Sequence, residues 1–109
     1  MIENPILGQS SEYNDNRNSL FMGQIGKCYV TKVGLEVEYM ECHHIKPKSK
    51  GGNDKYNNLV LVTKVVHKLI HASKTDTIAK YLTEITPSKE SIDKLNRLRL
   101  SIGNTEICV

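Results

Sequence analysis

The histidines of this chain are concentrated in one short stretch, and all four lie within residues 43–71. His67 and His71 are four residues apart in a segment with helical apolar periodicity, so they should lie on adjacent turns of one helix face. That spacing lets two imidazoles reach one metal ion. A third ligand must come from another element, and the adjacent pair His43 and His44 at the end of a predicted strand can supply it.

The adjacent histidines can do different work because neighbouring side chains on a strand point to opposite faces. One of the pair, His43 or His44, can bind the metal while the other lies beside it. Three imidazole ligands leave positions on an ion for a phosphate oxygen and water, which is typical of catalytic rather than closed structural sites. The pattern therefore predicts a catalytic metal site.

Two polar residues could support this site. Glu41 lies two residues before His43 on the same strand face, where its carboxylate could accept the free ring N–H of a ligand histidine. The alternative is a solvent-facing acid at a strand edge. Asn58 precedes the second predicted strand and could bond to the backbone across the long loop, fixing the position of His44. It could equally be an ordinary turn residue.

The elements that must position these residues form a strand, a long loop, a second strand and a helix. Alternation of apolar and acidic residues from Leu35 predicts the first strand, and Pro47 and Gly51-Gly52 break the chain after it. We expect a second strand at residues 59–62 and helices at 64–73, 77–85 and 87–102. Residues 1 to about 19 are predicted to be irregular, and a short helix is expected at 18–24. The predicted fold class is α+β.

Length and composition favour one small domain. We divide the chain into an N-terminal arm (1–25), a core (26–75) and C-terminal helices that pack on the core (76–109). Because no apolar run could span a membrane and no signal-peptide pattern is present, we expect a cytoplasmic protein without a membrane partner. The three cysteines are odd in number and widely spaced, which argues against a disulfide framework.

The positive charge is concentrated around the histidines. The chain carries +3 overall, but residues 43–74 hold seven lysines and one acid, which leaves −3 for the rest. A basic field around a histidine cluster suits a polyanionic substrate, although a solvated lysine-rich loop would look the same. The candidates for contacts to a nucleic-acid backbone are Lys46, Lys48, Lys50 and Lys68.

Three segments, Glu41–Gly52, Asn58–Val60 and His67–His71, resemble the HNH endonuclease family. The resemblance covers about residues 26–73. In more detail, the chain is similar to the nuclease domain at the C-terminus of group II intron-encoded reverse transcriptases (maturases), which the segments 4–16 and 95–99 also resemble. The paired histidines with a glutamate two residues before them are also similar to colicin-type nuclease toxins.

The resemblance implies a ββα-metal (His-Me finger) motif with additional C-terminal helices. It implies that His44 is the general base and that His43, His67 and His71 bind one divalent ion, for which we expect Mn, Mg, Ni or Zn. The implied reaction is hydrolysis of DNA phosphodiester bonds to 5′-phosphate and 3′-hydroxyl ends. DNA is the expected partner, together with intron RNA if the chain belongs to a ribonucleoprotein.

The chain departs from many relatives that carry two CxxC pairs around the motif. Here the corresponding segments read Cys28-Tyr29-Val30-Thr31 and Thr63-Lys64-Val65-Val66, so we expect no structural zinc. Two rival hypotheses stay open. One is a non-catalytic zinc module that binds nucleic acid, with a site formed by Cys28, Cys42, His67 and His71. The other is a degenerate HNH domain that acts as an adaptor.

Overall fold

The computed structural model describes residues 11–107 and confirms the α+β class. In chain order the elements are α1 (Ser11–Gly23), β1 (Met40–His44), β2 (Leu59–Thr63), α2 (Lys64–His71), α3 (Thr75–Ile85) and α4 (Lys89–Ser101), and two 3₁₀ turns (Lys48–Lys50 and Tyr56–Asn58) lie in the loop between the strands. The succession of β1, β2 and α2 is the predicted ββα arrangement. Within the described residues, none of the helices has the length and apolar character needed to cross a membrane.

The two strands form an antiparallel hairpin whose register fixes the histidine pair. His43 lies opposite Val60, and His44 lies opposite Leu59. Strand β2 is a run of branched residues that is buried from Leu59 to Val62, and it passes directly into α2. The Thr63 hydroxyl caps this helix by accepting a hydrogen bond from the Val66 backbone N–H at 3.3 Å. The strand and the helix are thus joined without a loop, which fixes where the α2 side chains lie relative to β1.

The core forms where β2 and α2 meet α4. Leu61, Val66 and Leu69 are fully buried, and Leu95 of α4 packs in the same apolar cluster. Helix α3 buries no residue completely and contributes only partly buried side chains, such as Tyr81, to the edge of the core. The ββα unit is therefore stabilised mainly by α4 on one side and α1 on the other.

The N-terminal part of the chain differs from the prediction. Helix α1 begins at Ser11, where the sequence predicted irregular chain up to residue 19 and a helix only from 18 to 24. Its buried face is formed by Tyr13, Arg17 and Leu20, which follow a helical spacing. The apolar signal is weak because a charged residue occupies the middle of that face. Residues 1–10, including most of the 4–16 segment compared above, lie outside the described residues.

Smaller differences affect other elements. The alternating stretch that begins at Leu35 forms turns, and β1 begins only at Met40, opposite the last residue of β2. Within the part of the chain that the structure describes, residues 36–39 pair with no strand and are exposed, so alternation alone did not make them a strand. Helix α4 begins at Lys89, with Ser88 as its cap, rather than at Pro87.

Candidate metal centre and flanking histidine

Three histidines converge between β1 and α2. His43, His67 and His71 each offer a ligand nitrogen, and these atoms all lie within 4.8 Å of one another. The ring centroids are 4.9 to 5.5 Å apart. His43 is only 2% exposed, and its Nε2 is buried without a hydrogen-bond partner. A buried, unpartnered imidazole nitrogen beside two other imidazoles fits a divalent metal, because a bound ion would satisfy that lone pair.

The elements account for this convergence. His67 and His71 lie one turn apart on α2, with His71 as the last residue of the helix. His43 comes from the strand that pairs with β2, and β2 leads directly into α2. The i, i+4 spacing on the helix and the strand register therefore bring three distant imidazoles together.

Burial changes the protonation of the cluster. Burial is the largest cause that lowers the pKa of His43, to about 3, and the neighbouring His67 and His71 lower it further. Burial also lowers the pKa of His71, with His67 as the second cause. Both shifts favour the neutral imidazole, which is the form that binds a metal.

Glu41 lies beside the cluster and contacts His67. Its Oε2 is 2.5 Å from His67 Nδ1. A carboxylate at Nδ1 accepts that N–H and leaves Nε2 of the same ring available for an ion. The contact joins strand and helix, so Glu41 faces His67 of α2 rather than its strand neighbour His43.

His44 has a different environment from His43. Its Nε2 lies 2.8 Å from Oδ1 of Asp54. Its ring stacks on Tyr13 of α1, with the ring centroids 5.8 Å apart and the planes inclined by 18°. The His44 side chain keeps 22% of its surface exposed, whereas His43 is buried. The two adjacent histidines thus face different surroundings, and His44 lies outside the three-histidine cluster.

Asn58 fastens the two ends of the long loop. Its Oδ1 accepts a hydrogen bond from the Lys46 backbone N–H at 2.8 Å, and its Nδ2 donates to the carbonyls of Lys46 (3.1 Å) and Asn53 (2.8 Å). The backbone carbonyl of Asn58 also accepts a hydrogen bond from Ile45 N–H. Gly52 completes this closure, because a Cβ there would lie 1.8 Å from the Lys46 carbonyl oxygen. The chain that follows His44 is therefore closely constrained.

The four candidate lysines are exposed but differ in their contacts. Lys48 Nζ lies 3.2 Å from the Asp54 carboxylate, and Lys50 Nζ donates to the Ile102 carbonyl at 3.2 Å. Lys68 lies over the Tyr81 ring, 5.7 Å from its centroid, on the α3 side of α2. Three of them follow His44 along the chain, and Lys68 stands apart from those three.

Two residues beside His44 were missed by the sequence analysis. Asp54 was placed only in a turn, and Tyr13 only in an irregular segment. A signal for Asp54 existed, because it is the single acid among seven lysines in residues 43–74. Tyr13 gave no such signal, since its role depends on a helix that the polar N-terminal sequence concealed.

The cysteines do not assemble the rival zinc site. Cys28 is fully buried in the apolar core. Cys42 forms a hydrogen bond with Tyr13, and burial raises its pKa to about 11. Within residues 11–107 the cluster that could hold a metal ion contains His43, His67 and His71 but neither cysteine. The four-residue set of Cys28, Cys42, His67 and His71 was therefore wrong as a metal site.

Comparison with known proteins identifies the same segment. Residues 30–73 match the family model described as HNH endonuclease. The matched segment contains β1, the long loop, β2 and α2, and with them all four histidines. No curated protein matches the chain. The family match supports the HNH motif. The resemblance to group II intron proteins stays a prediction.

Proposed function

With an HNH segment at its centre, we propose that this chain is an endonuclease that uses one divalent metal ion to hydrolyse phosphodiester bonds in DNA. The observation that carries the proposal is the environment of the adjacent histidines. His43 presents a buried, unpartnered Nε2 to two further imidazoles, while His44 faces a carboxylate on the other side. A metal site and a proton acceptor thus lie on neighbouring residues of one strand.

His43, His67 and His71 are the residues that would hold the ion, and Glu41 fixes the ring of His67. A divalent ion held there supplies charge stabilisation on the phosphate and the departing 3′ oxygen. Manganese, magnesium, nickel and zinc are the candidates, with imidazole ligands favouring the transition ions.

His44 acts as the general base in this proposal. It accepts a proton from the water that attacks phosphorus in line. Asn58 closes the loop directly after His44 and so limits movement of the strand end that carries it. The products would carry 5′-phosphate and 3′-hydroxyl ends.

Contacts with the DNA backbone complete the proposal. Lys46, Lys48, Lys50 and Lys68 would bind phosphates, which positions a duplex without reading its sequence. The intron resemblance adds a finer proposal, in which the chain is the DNA-cleaving domain of a group II intron mobility protein. Intron RNA would then be a second partner in the ribonucleoprotein.

Supercoiled-plasmid cleavage across Mn²⁺, Mg²⁺, Ni²⁺ and Zn²⁺ tests the function. His44→Ala should lower cleavage by on the order of 10²-fold or more while metal binding, measured by calorimetry, stays close to wild type. His67→Ala should lose both, because it removes a ligand. Asn57→Ala, which changes the exposed neighbour of Asn58, serves as the control. Absence of wild-type cleavage with every metal would favour the non-catalytic adaptor, and normal cleavage by His44→Ala would refute the assigned base.

A further inference from the structure

The carboxylate of Asp54 is the polar group that faces His44 across the long loop. Oδ1 lies 2.8 Å from His44 Nε2, and the Asp54 side chain is only 12% exposed. Ten residues separate the two along the chain, so the contact exists only because the loop folds back. Lys48 Nζ lies 3.2 Å from the same carboxylate, but the lysine side chain is 54% exposed, and ion pairs with a solvent-exposed partner contribute little to stability. The less exposed of the two contacts is therefore the one with the histidine.

The backbone around Asp54 is held from two directions. Asn16 of α1 donates from Nδ2 to the Asp54 carbonyl at 2.8 Å. Asn58 donates from Nδ2 to the carbonyl of Asn53, the preceding residue, at 2.8 Å. Two consecutive carbonyls in an otherwise irregular loop are thus each anchored by an asparagine side chain. These two contacts constrain the backbone from which the Asp54 side chain extends toward His44.

The His44 ring is correspondingly held on one nitrogen and one face. Asp54 is at Nε2, and Tyr13 stacks on the ring. Among the residues the structure describes, His44 forms no hydrogen bond at Nδ1. A carboxylate can only accept a hydrogen bond, so it selects the tautomer that carries its proton on Nε2. The lone pair then lies on Nδ1, the unoccupied nitrogen.

We infer that Asp54 is a positioning residue that holds His44 in the Nε2–H tautomer, so that Nδ1 is the atom that accepts the proton from water. The inference rests on the function proposed above. One proton passes from the water oxygen to Nδ1, and the Nε2 proton stays in its hydrogen bond with Asp54. The carboxylate then lies beside the imidazolium that forms and stabilises it.

The tautomer can be read without any cleavage assay. Long-range ¹H–¹⁵N correlation spectra of the full chain, labelled in histidine and free of metal, distinguish a protonated ring nitrogen from an unprotonated one. His44→Gln assigns the signals. Wild type should show His44 protonated on Nε2. Asp54→Asn should weaken that preference, because an amide can turn either an acceptor oxygen or a donor nitrogen toward the ring. Lys48→Met should retain it. A wild-type His44 protonated on Nδ1 would overturn the inference, whether or not the Asp54 variant folds.

Cleavage kinetics provide the second readout. Asp54→Asn should lower kcat by about 10- to 100-fold with little change in KM, because the ring is misplaced while the DNA contacts remain. Asp15→Asn, the same substitution at an exposed position of α1, is the matched control and should change neither parameter. Unchanged tautomer and unchanged kcat in Asp54→Asn would refute the positioning role. If the wild-type protein cuts no DNA, the proposed function is refuted. If its His44 tautomer nevertheless depends on Asp54, the control of the tautomer by Asp54 is retained.

Discussion

Two buried arginines on opposite sides of the ββα unit have contrasting environments. Arg99 of α4 is 1% exposed, and its guanidinium donates to the carbonyls of Thr105 (2.7 Å), Ala72 (2.8 Å) and Leu69. Arg17 of α1 is 5% exposed, and within residues 11–107 its Nε and Nη1 have no hydrogen-bond partner. Nε and Nη1 of the same residue type thus bind carbonyls on the C-terminal side and are unpartnered on the N-terminal side.

The contrast separates a side that satisfies its buried polar groups from a side that does not. Arg99 and Asn104 together bind three carbonyls at the end of α2, where a helix leaves its last carbonyls without intrahelical partners. That end carries His71. Within residues 11–107, the buried side-chain nitrogens without partners belong to Arg17 and His43, on α1 and β1. Stability is therefore supplied from α4, while α1 and β1 retain polar groups that burial disfavours.

Removing Arg99 should have the largest effect on stability. Arg99→Leu removes the guanidinium donors to the carbonyls of Leu69 and Thr105 and leaves the Ala72 carbonyl with Asn104 alone. Each donor lost from a buried carbonyl costs about 1–3 kcal/mol. We expect the free energy of unfolding to fall by about 3–4 kcal/mol in urea titrations. Arg97→Leu, at an exposed position of the same helix, is the control and should change stability by less than about 0.5 kcal/mol. Equal effects of the two substitutions would show that α4 does not hold α2 in this way.

Acid should destabilise the metal-free protein through His43. Its pKa is about 3 in the folded chain and 6.5 as the ordinary value, so the unfolded chain binds the proton first. The stability present above pH 6.5 is therefore lost as the pH falls toward 3, by at most about 1.4 kcal/mol per pH unit.

The range from pH 6.5 to about 4.5 separates histidine effects from carboxylate titration, because most carboxylates stay ionised there. Urea unfolding across that range should show the slope in wild type and a smaller one in His43→Phe, which keeps a buried ring. His71 shifts in the same direction and would leave a residual slope in the variant. Identical slopes in both proteins would contradict the burial of a neutral His43.

Replacing Arg17 should have the smallest effect and the opposite sign from Arg99. Exchanging a buried charged side chain that has two unpartnered nitrogens for an apolar side chain of similar length is often neutral or stabilising. We expect Arg17→Met to raise the free energy of unfolding by about 1 kcal/mol. A loss of more than about 2 kcal/mol would mean that Arg17 stabilises α1 as Arg99 stabilises α2, and the comparison would fail.

The histidine cluster could be predicted because its geometry depends on local spacing. The i, i+4 spacing on a helix and the adjacent positions on a strand determine the directions of the histidine side chains, however the two elements pack. The run of branched residues in β2 is itself typical of a strand. Asp54 and Tyr13 could not be placed beside His44 in this way. Their contacts depend on how a loop folds back and on a helix whose buried face includes Arg17.

The hairpin register implies that β1 tolerates substitution of its exposed residues better than a change in its length. His43 and His44 owe their separate surroundings to pairing opposite Val60 and Leu59, in a strand of five residues that Asn58 closes at its end. Inserting or deleting one residue within β1 would send each following side chain to the opposite face. Such an insertion or deletion would exchange the surroundings of the His43 and His44 imidazoles, which are chemically identical. Both histidines would still be present in the sequence. During evolution of this domain, the length of β1 should therefore be conserved more strictly than the identity of its exposed residues.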